Sequence, residues 1–85
     1  MELVYEKAAI KGLRKMAPKA AKAMQRRLAV IAENPFATHA QVETIKGEKD
    51  AFRLRQGDWR AVYRVIREPG QMRVVWIDVR GSVYR

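Results

Sequence analysis

The segment that most constrains the fold of this chain is residues 52–66, which read FRLRQGDWRAVYRVI. Polar and apolar residues alternate on both sides of a Gln-Gly-Asp segment, and this period of two predicts two β-strands joined by a short turn. A register that pairs Arg55 with Arg60 also pairs Arg53 with Val62. One face of the hairpin is then predicted to carry Arg53, Arg55, Arg60 and Arg64, and the other face Phe52, Leu54, Ala61, Tyr63 and Val65.

The arginine face of this hairpin predicts a binding site for a polyanion. Like charges that lie directly opposite one another destabilise a sheet, and an anionic ligand would offset that cost. The alternative is a solvated polar face that happens to use arginine, although such faces usually mix the two signs of charge. The net charge of the chain is +9 at pH 7, which favours RNA, DNA, an acidic protein or an anionic membrane surface as the partner.

The length and composition narrow the class of protein. We expect residues 1–85 to form a single domain, because 85 residues are enough for one modest core. The sequence contains no cysteine, which excludes disulfides and thiolate metal sites. The N-terminus does not resemble a signal peptide, and no apolar run is long enough to span a membrane. The sequence therefore predicts a cytoplasmic protein with no membrane association, no metal and no cofactor.

Hydrophobic periodicity places two helices before the hairpin. Residues 3–5 form a short strand candidate, and an amphipathic helix is predicted over residues 6–16. Ala17-Pro18 breaks this helix, and a second helix is predicted from Pro18 to Glu33. The apolar stripes are Ala9, Ile10, Leu13 and Met16 on the first helix, and Ala20, Ala21, Met24, Leu28 and Ile31 on the second.

The remaining segments complete an α+β fold. Residues 42–45 have the composition of a short strand, and the nearly continuous apolar run within residues 72–79 is typical of a central strand covered on both faces. The predicted order is β-α-α-β-β-β. The alanines of the stripe would allow the helices to pack closely as an antiparallel hairpin. We expect this helical hairpin to cover one face of a small, mainly antiparallel sheet, with the arginines on the opposite face.

The arginine set, together with Tyr84, is suited to one kind of chemistry. When RNA is cleaved by its own 2′-hydroxyl, the reaction passes through a dianionic phosphorane that preorganised guanidinium groups would stabilise. Arginine is a poor base because its pKa lies above ~12. Tyr84 is the better candidate for accepting the 2′-hydroxyl proton, if nearby cations lower its pKa. The alternative for Tyr84 is a terminal tyrosine that packs on the sheet edge.

These residues resemble the RelE/ParE superfamily of type II toxins, and specifically its RelE branch. The similarity covers most of the chain, including the helical hairpin and the Ile45-Lys46-Gly47 segment before the arginine-rich strands. Its most specific part is residues 52–63, where a basic-apolar-basic strand is followed by Gly-Asp-aromatic-Arg and then apolar-Tyr. The strand that ends at Arg80 and the Val83-Tyr84-Arg85 tail extend the similarity to the C-terminus.

The resemblance implies the RelE-like fold and an endoribonuclease that acts in the ribosomal A site. Such an mRNA interferase cuts mRNA by 2′-hydroxyl attack without metal and inhibits translation, and a RelB-like antitoxin holds it inactive in a hetero-oligomer. By position, the resemblance implies that Arg53 and Arg55 contact the scissile phosphate and that Arg60 binds it. It also implies that Arg80 assists the leaving group and that Tyr84 orients or deprotonates the 2′-hydroxyl. The resemblance also implies RNA contacts by Trp59, Arg64 and Arg85.

Two departures from the family pattern bear on this interpretation. Val79 stands where many relatives have histidine, which excludes a histidine general base at that position, and Trp59 replaces the commoner tyrosine. Two alternatives therefore stay open. One is a ParE-like toxin that inhibits DNA gyrase and has no nuclease activity, and the other is an inactive relative that only binds RNA.

Overall fold

The computed structural model describes residues 1–79 and shows two helices and a five-stranded sheet. The elements are β1 (Glu2–Tyr5), α1 (Lys7–Lys15), α2 (Pro18–Glu33), β2 (Val42–Thr44), β3 (Ala51–Gln56), β4 (Trp59–Ile66) and β5 (Gln71–Val79). The strand order in the sheet is β1-β5-β4-β3-β2, with β1 and β5 parallel and the other neighbours antiparallel. The predicted α+β class and mainly antiparallel sheet are confirmed. The observed order contains one strand more than the predicted order β-α-α-β-β-β, because the strand candidate at residues 42–45 forms β2 and pairs with β3.

Both helices begin and end close to the predicted positions. α2 has the predicted bounds, and Pro18 stands in its first turn, where a missing backbone N–H costs nothing. α1 is one residue shorter at each end, because Glu6 and Met16 have extended backbone conformations and flank the helix. Within residues 1–79, neither helix has the length and apolar character needed to cross a membrane.

The core lies between the two helices and one face of the sheet. α2 contributes Met24, Leu28, Ile31 and Ala32, and α1 contributes Ala9, next to Met16 at its C-terminal end. The sheet residues of the same cluster follow the register across the strands, since they are Leu54, Ala61, Tyr63, Val65, Met72, Val74 and Ile77. Both helices therefore cover the same face, as predicted, and the alternate residues of β3 and β4 face the other way.

The register of the central hairpin is the predicted one. Arg55 lies opposite Arg60, Arg53 opposite Val62 and Ala51 opposite Arg64. The two-residue turn contains Gly57 with φ +62°, a conformation that costs glycine little and that matches the twist of hairpin strands. Since successive residues alternate between faces, this register places the arginines of the two strands on the face away from the helices.

β5 is an interior strand of the sheet, between β1 and β4, and it contains a bulge. Val62 is opposite Trp76 whereas Tyr63 is opposite Val74, so Val75 has no partner on β4. The extra residue reverses the alternation along the strand. Both halves therefore present apolar residues to the helices, and Val75 and Trp76 are only half-buried. The expectation that β5 is covered on both faces is therefore wrong at Val75 and Trp76.

The packing surface of α1 differs from the predicted stripe at two positions. Ile10, which the stripe included, is 37% exposed, and Gly12, which the stripe omitted, is buried. A Cβ atom built on Gly12 would lie 1.9 Å from the backbone oxygen of Ile77. The helix backbone therefore contacts the backbone of β5 directly, and only glycine leaves room for this approach.

We expect Gly12→Ala to destabilise the fold, even though alanine is more favourable than glycine in a helix by about 1 kcal/mol. The new methyl group would overlap a backbone atom rather than a movable side chain, so the cost should be about 2 kcal/mol or more. Urea denaturation followed by circular dichroism measures the free energy of unfolding. Lys11→Ala, at an exposed neighbouring position, is the control and should change it little. A Gly12→Ala protein as stable as the original would contradict this packing.

A second constraint in the core is the buried hydroxyl of Tyr63. The side chain is 0% exposed, its ring stacks on Phe52 with centroids 5.3 Å apart, and its hydroxyl has no hydrogen-bond partner within residues 1–79. Burial raises the pKa of Tyr63 from 10.0 to about 12, and the guanidinium of Arg27 lowers it by a smaller amount. The phenol is therefore neutral at pH 7.

The raised pKa of Tyr63 predicts a loss of stability at alkaline pH. Below pH 10 both states keep the proton, but between pH 10 and about 12 only the unfolded chain loses it, which favours unfolding. Tyr63→Phe should remove this part of the pH dependence and leave the protein at least as stable at pH 7, because an unpaired buried hydroxyl is lost. Denaturation midpoints measured for both proteins from pH 8 to pH 12 test this. Parallel curves would show that Tyr63 titrates normally.

Candidate functional site

The four arginines predicted on the open face of the hairpin fall into two kinds. Arg53 forms an ion pair with Glu43 on β2, with Nη1 and Oε1 3.0 Å apart, and these residues are directly opposite in the register. Arg64 pairs with Glu48 in the loop before β3. The open face therefore mixes charges more than the sequence indicated, and two of its arginines have carboxylate partners.

Arg55 and Arg60 are the two arginines of the hairpin that have no such partner. They lie directly opposite one another on β3 and β4, and within residues 1–79 neither side chain has an ion pair or a hydrogen bond. Asp78 is opposite Arg60 on β5, but its carboxylate accepts a hydrogen bond from the N–H of Val79 at 2.8 Å and lies 4.0 Å from Nζ of Lys15. The ion-pair partner of Asp78 is therefore a lysine of α1, and within residues 1–79 Asp78 forms no ion pair with an arginine.

Arg55 and Arg60 line a cleft at the turn end of the hairpin. This cleft has a volume of about 550 Å³ and is lined by Arg27, Gln41, Arg55, Gln56, Gly57, Asp58 and Arg60. Three guanidinium groups and one carboxylate give it a net positive charge. Guanidinium groups bind phosphate with good geometry through parallel N–H donors, and clustered cations strengthen such binding. The cleft is therefore suited to an anion with several oxygens. We call it the arginine cleft.

Arg27 is the one arginine of the arginine cleft that sequence reasoning missed, and it also missed the glutamines Gln41 and Gln56 on the cleft wall. Arg27 lies on α2 beside the buried residue Leu28, and its Nη2 donates a hydrogen bond to the backbone oxygen of Ala40. This contact ties the loop before β2 to the helix. A cation at the border of an apolar stripe was a weak signal, because many such residues are only solvated. Its position beside the hairpin becomes evident only when the helix is packed on the sheet.

The other predicted site residues do not lie in the arginine cleft. Trp59 is opposite Gln56 and packs against the core on the helix side, so the structure does not bring it to the face that carries Arg60. The positions of Arg80, Tyr84 and Arg85 fall outside the described residues, and their predicted roles stay predictions. Among residues 1–79, no three His, Asp or Glu side chains come close enough together to hold a metal ion.

The sequence matches the family model of the ParE toxin of type II toxin–antitoxin systems over residues 3–83. The chain therefore belongs to this family, within the RelE/ParE superfamily of type II toxins. The match does not separate the RelE branch from the ParE branch. No curated protein is significantly similar to the chain in sequence.

Solved structures of toxins share the fold of this chain at low sequence identity. The isolated Escherichia coli RelE toxin has a TM-score of 0.81 at 21% identity, covering 96% of this chain and 86% of that one. The RelE–RelB complex of the archaeon Pyrococcus horikoshii gives 0.79 at 19%, covering 96% and 97%. A YoeB/ParE toxin from Agrobacterium tumefaciens gives 0.76 at 19%, covering 93% and 98%. These similarities establish the fold.

The division between paired and unpaired arginines predicts unequal effects on binding of a single-stranded oligonucleotide. Arg55→Ala should weaken binding and lower the slope of log affinity against log salt by roughly one, as expected for a lost phosphate contact. Arg53→Ala should have a smaller effect, because Glu43 already neutralises that side chain. Fluorescence anisotropy over a series of salt concentrations measures both. Equal losses for the two variants would contradict the division.

Proposed function

We propose that this toxin is a ribosome-dependent endoribonuclease that cleaves mRNA in the A site by attack of the 2′-hydroxyl on the adjacent phosphate. The observation that supports this most strongly is the direct opposition of Arg55 and Arg60 without any carboxylate partner among residues 1–79. The repulsion between the two guanidinium groups lowers the stability of the sheet. A phosphorane dianion placed between them would relieve this repulsion.

In this proposal each arginine has a distinct task. Arg55 and Arg60 bind the two non-bridging oxygens of the scissile phosphate, and they bind the dianionic transition state more strongly than the monoanionic ground state. Arg53 adds positive charge from the neighbouring position on the same face, although its pairing with Glu43 reduces the field that it contributes. Arg64 and Arg85 would contact the RNA outside the reacting centre.

The proton transfers are assigned to the C-terminal residues. Tyr84 would accept the proton of the 2′-hydroxyl, and Arg80 would stabilise the leaving 5′-oxygen, with no metal or cofactor taking part. The nucleophile belongs to the substrate, so the protein supplies charge stabilisation and positioning. We infer that the ribosome supplies much of the positioning by holding the mRNA, and that the reaction takes place in the cytoplasm.

A cognate antitoxin is the second partner in this proposal. The family description places the toxin in a type II toxin–antitoxin system, and several structures with the same fold are complexes of RelE with RelB. A basic protein with an open arginine cleft would bind nucleic acids unselectively unless it is covered. We propose that a RelB-like antitoxin folds over the sheet and helices in a hetero-oligomer and blocks access to RNA.

The match to the ParE family model favours a second candidate function, which is inhibition of DNA gyrase without nuclease activity. A gyrase inhibitor needs a protein-binding surface and has no need of unpaired guanidinium groups opposite one another. The two candidates therefore make different predictions for the arginines of the hairpin.

Primer extension on a reporter mRNA in a purified bacterial translation system separates these functions. We expect cuts that are in phase with codons, that require ribosomes and that persist after the toxin is treated with EDTA. Arg60→Ala should slow cleavage about a hundredfold or more, as for loss of one preorganised donor to a transition-state oxyanion, and Tyr84→Phe should also slow it. Arg26→Ala is the matched control, since this arginine is exposed on α2 and does not line the arginine cleft.

Two other outcomes would overturn the nuclease proposal. Intact mRNA together with inhibition of DNA supercoiling by purified gyrase would establish the ParE-like function. Intact mRNA with no inhibition of gyrase and no growth arrest would leave only a basic binding domain. Circular dichroism of each variant shows whether a lost activity reflects a lost fold.

A further inference from the structure

The arginine cleft contains more than phosphate-binding groups. Gln41 and Gln56 lie on its wall beside Arg55, and neither side-chain amide has a hydrogen-bond partner within residues 1–79. Gln56 is half-buried and Gln41 is exposed, so both amides are open to a ligand in the cleft. Two unpaired amides next to three guanidinium groups indicate a ligand that is neutral at one end and anionic at the other.

The backbone holds Gln41 at this place in an unusual conformation. Its backbone φ is +64°, a left-handed value that residues other than glycine, asparagine and aspartate adopt only rarely. Its backbone oxygen accepts a hydrogen bond from the N–H of Arg55 at 2.9 Å, and the preceding residue, Ala40, is bonded by Arg27. The backbone of Gln41 is therefore held between two of the arginines of the cleft, and its exposed side chain starts from this point on the cleft wall.

A nucleotide of single-stranded RNA has the chemistry that this arrangement would bind. Its phosphate matches the guanidinium groups, and its base edge presents hydrogen-bond donors beside acceptors, as a primary amide does. Single-stranded RNA is read mainly by hydrogen bonds to such exposed base edges. An acidic peptide would satisfy the arginines equally well, and its binding is therefore one outcome of the test below.

We propose that Gln41 and Gln56 form a base-reading subsite next to the scissile phosphate and thereby set the base preference of the toxin. This inference rests on the proposed nuclease function and adds to it a physical origin for sequence selectivity. The two roles are separable, because the arginines contact phosphates, which are the same in every sequence, whereas the amides contact base edges, which differ.

The test is cleavage of a set of reporter mRNAs that differ by one base in the A-site codon. The wild-type toxin should prefer one base at one codon position. In the double variant Gln41→Ala/Gln56→Ala, the ratio of cleavage rates between the preferred codon and the others should fall about tenfold. Its cleavage rate on the poorer codons should stay close to that of the wild type. Arg55→Ala should lower the rates on all codons by a similar factor. Gln25→Ala, an exposed glutamine of α2 outside the arginine cleft, is the matched control and should leave the preference unchanged.

A direct binding measurement accompanies the kinetic one. Fluorescence anisotropy with short 2′-O-methyl RNAs that vary at one base should show the same preference in the wild-type toxin and a reduced one in the double variant. An unchanged preference in the double variant would overturn the subsite and leave the nuclease proposal intact. If the double variant bound an acidic peptide more weakly than the wild type but kept its base preference among the RNAs, that result would also overturn the subsite. A wild-type toxin that neither cuts mRNA nor binds RNA would overturn both proposals.

Discussion

The site depends on the pairing of β3 with β4, which fixes Arg55 directly opposite Arg60. This arrangement opposes folding, because two like charges face each other across a ladder, and it persists because the rest of the hairpin is held by burial. The other face of the same strands carries Leu54, Ala61 and Tyr63, each with no solvent exposure. A shift of one residue would exchange the two faces and expose this core, so the hydrophobic contacts hold the arginines in a repulsive position.

The second determinant of the site is the close packing of the helices on this sheet. The backbone of α1 contacts β5 at Gly12, and the buried stripe of α2 brings Arg27 beside the hairpin. Two carboxylates of the open face, Glu43 and Glu48, each pair with an arginine other than Arg55 and Arg60. The net effect concentrates unpaired positive charge at one end of the hairpin instead of spreading it over the whole face. A cleft of this kind is electrostatically prepared for an anion before the ligand arrives.

Local patterns were sufficient to predict much of this fold. The register of the hairpin, the bounds of α2 and the face that the helices cover follow from periodicity and turn chemistry, which act over a few residues. Properties that depend on distant segments were not predictable in this way. The partner of Arg53 lies on β2 and the third arginine of the cleft lies on α2, and no spacing rule connects them to the hairpin. Gly12 carries no hydrophobic signal, so the periodicity of α1 places Ile10 and not Gly12 on the packing face. The bulge at Val75 has no recognisable pattern in the sequence.

The most direct test of the central claim is to observe where an RNA phosphate binds. Side-chain NMR signals of the arginines, recorded while a 2′-O-methyl RNA that cannot be cleaved is added, report each guanidinium separately. The account predicts that the Nε–H signals of Arg27, Arg55 and Arg60 shift together and saturate at one RNA concentration, while that of Arg53, held by Glu43, shifts less. Saturable shifts confined to the arginines of the outer helix surfaces, such as Arg14 and Arg26, with those of the cleft unchanged, would contradict it.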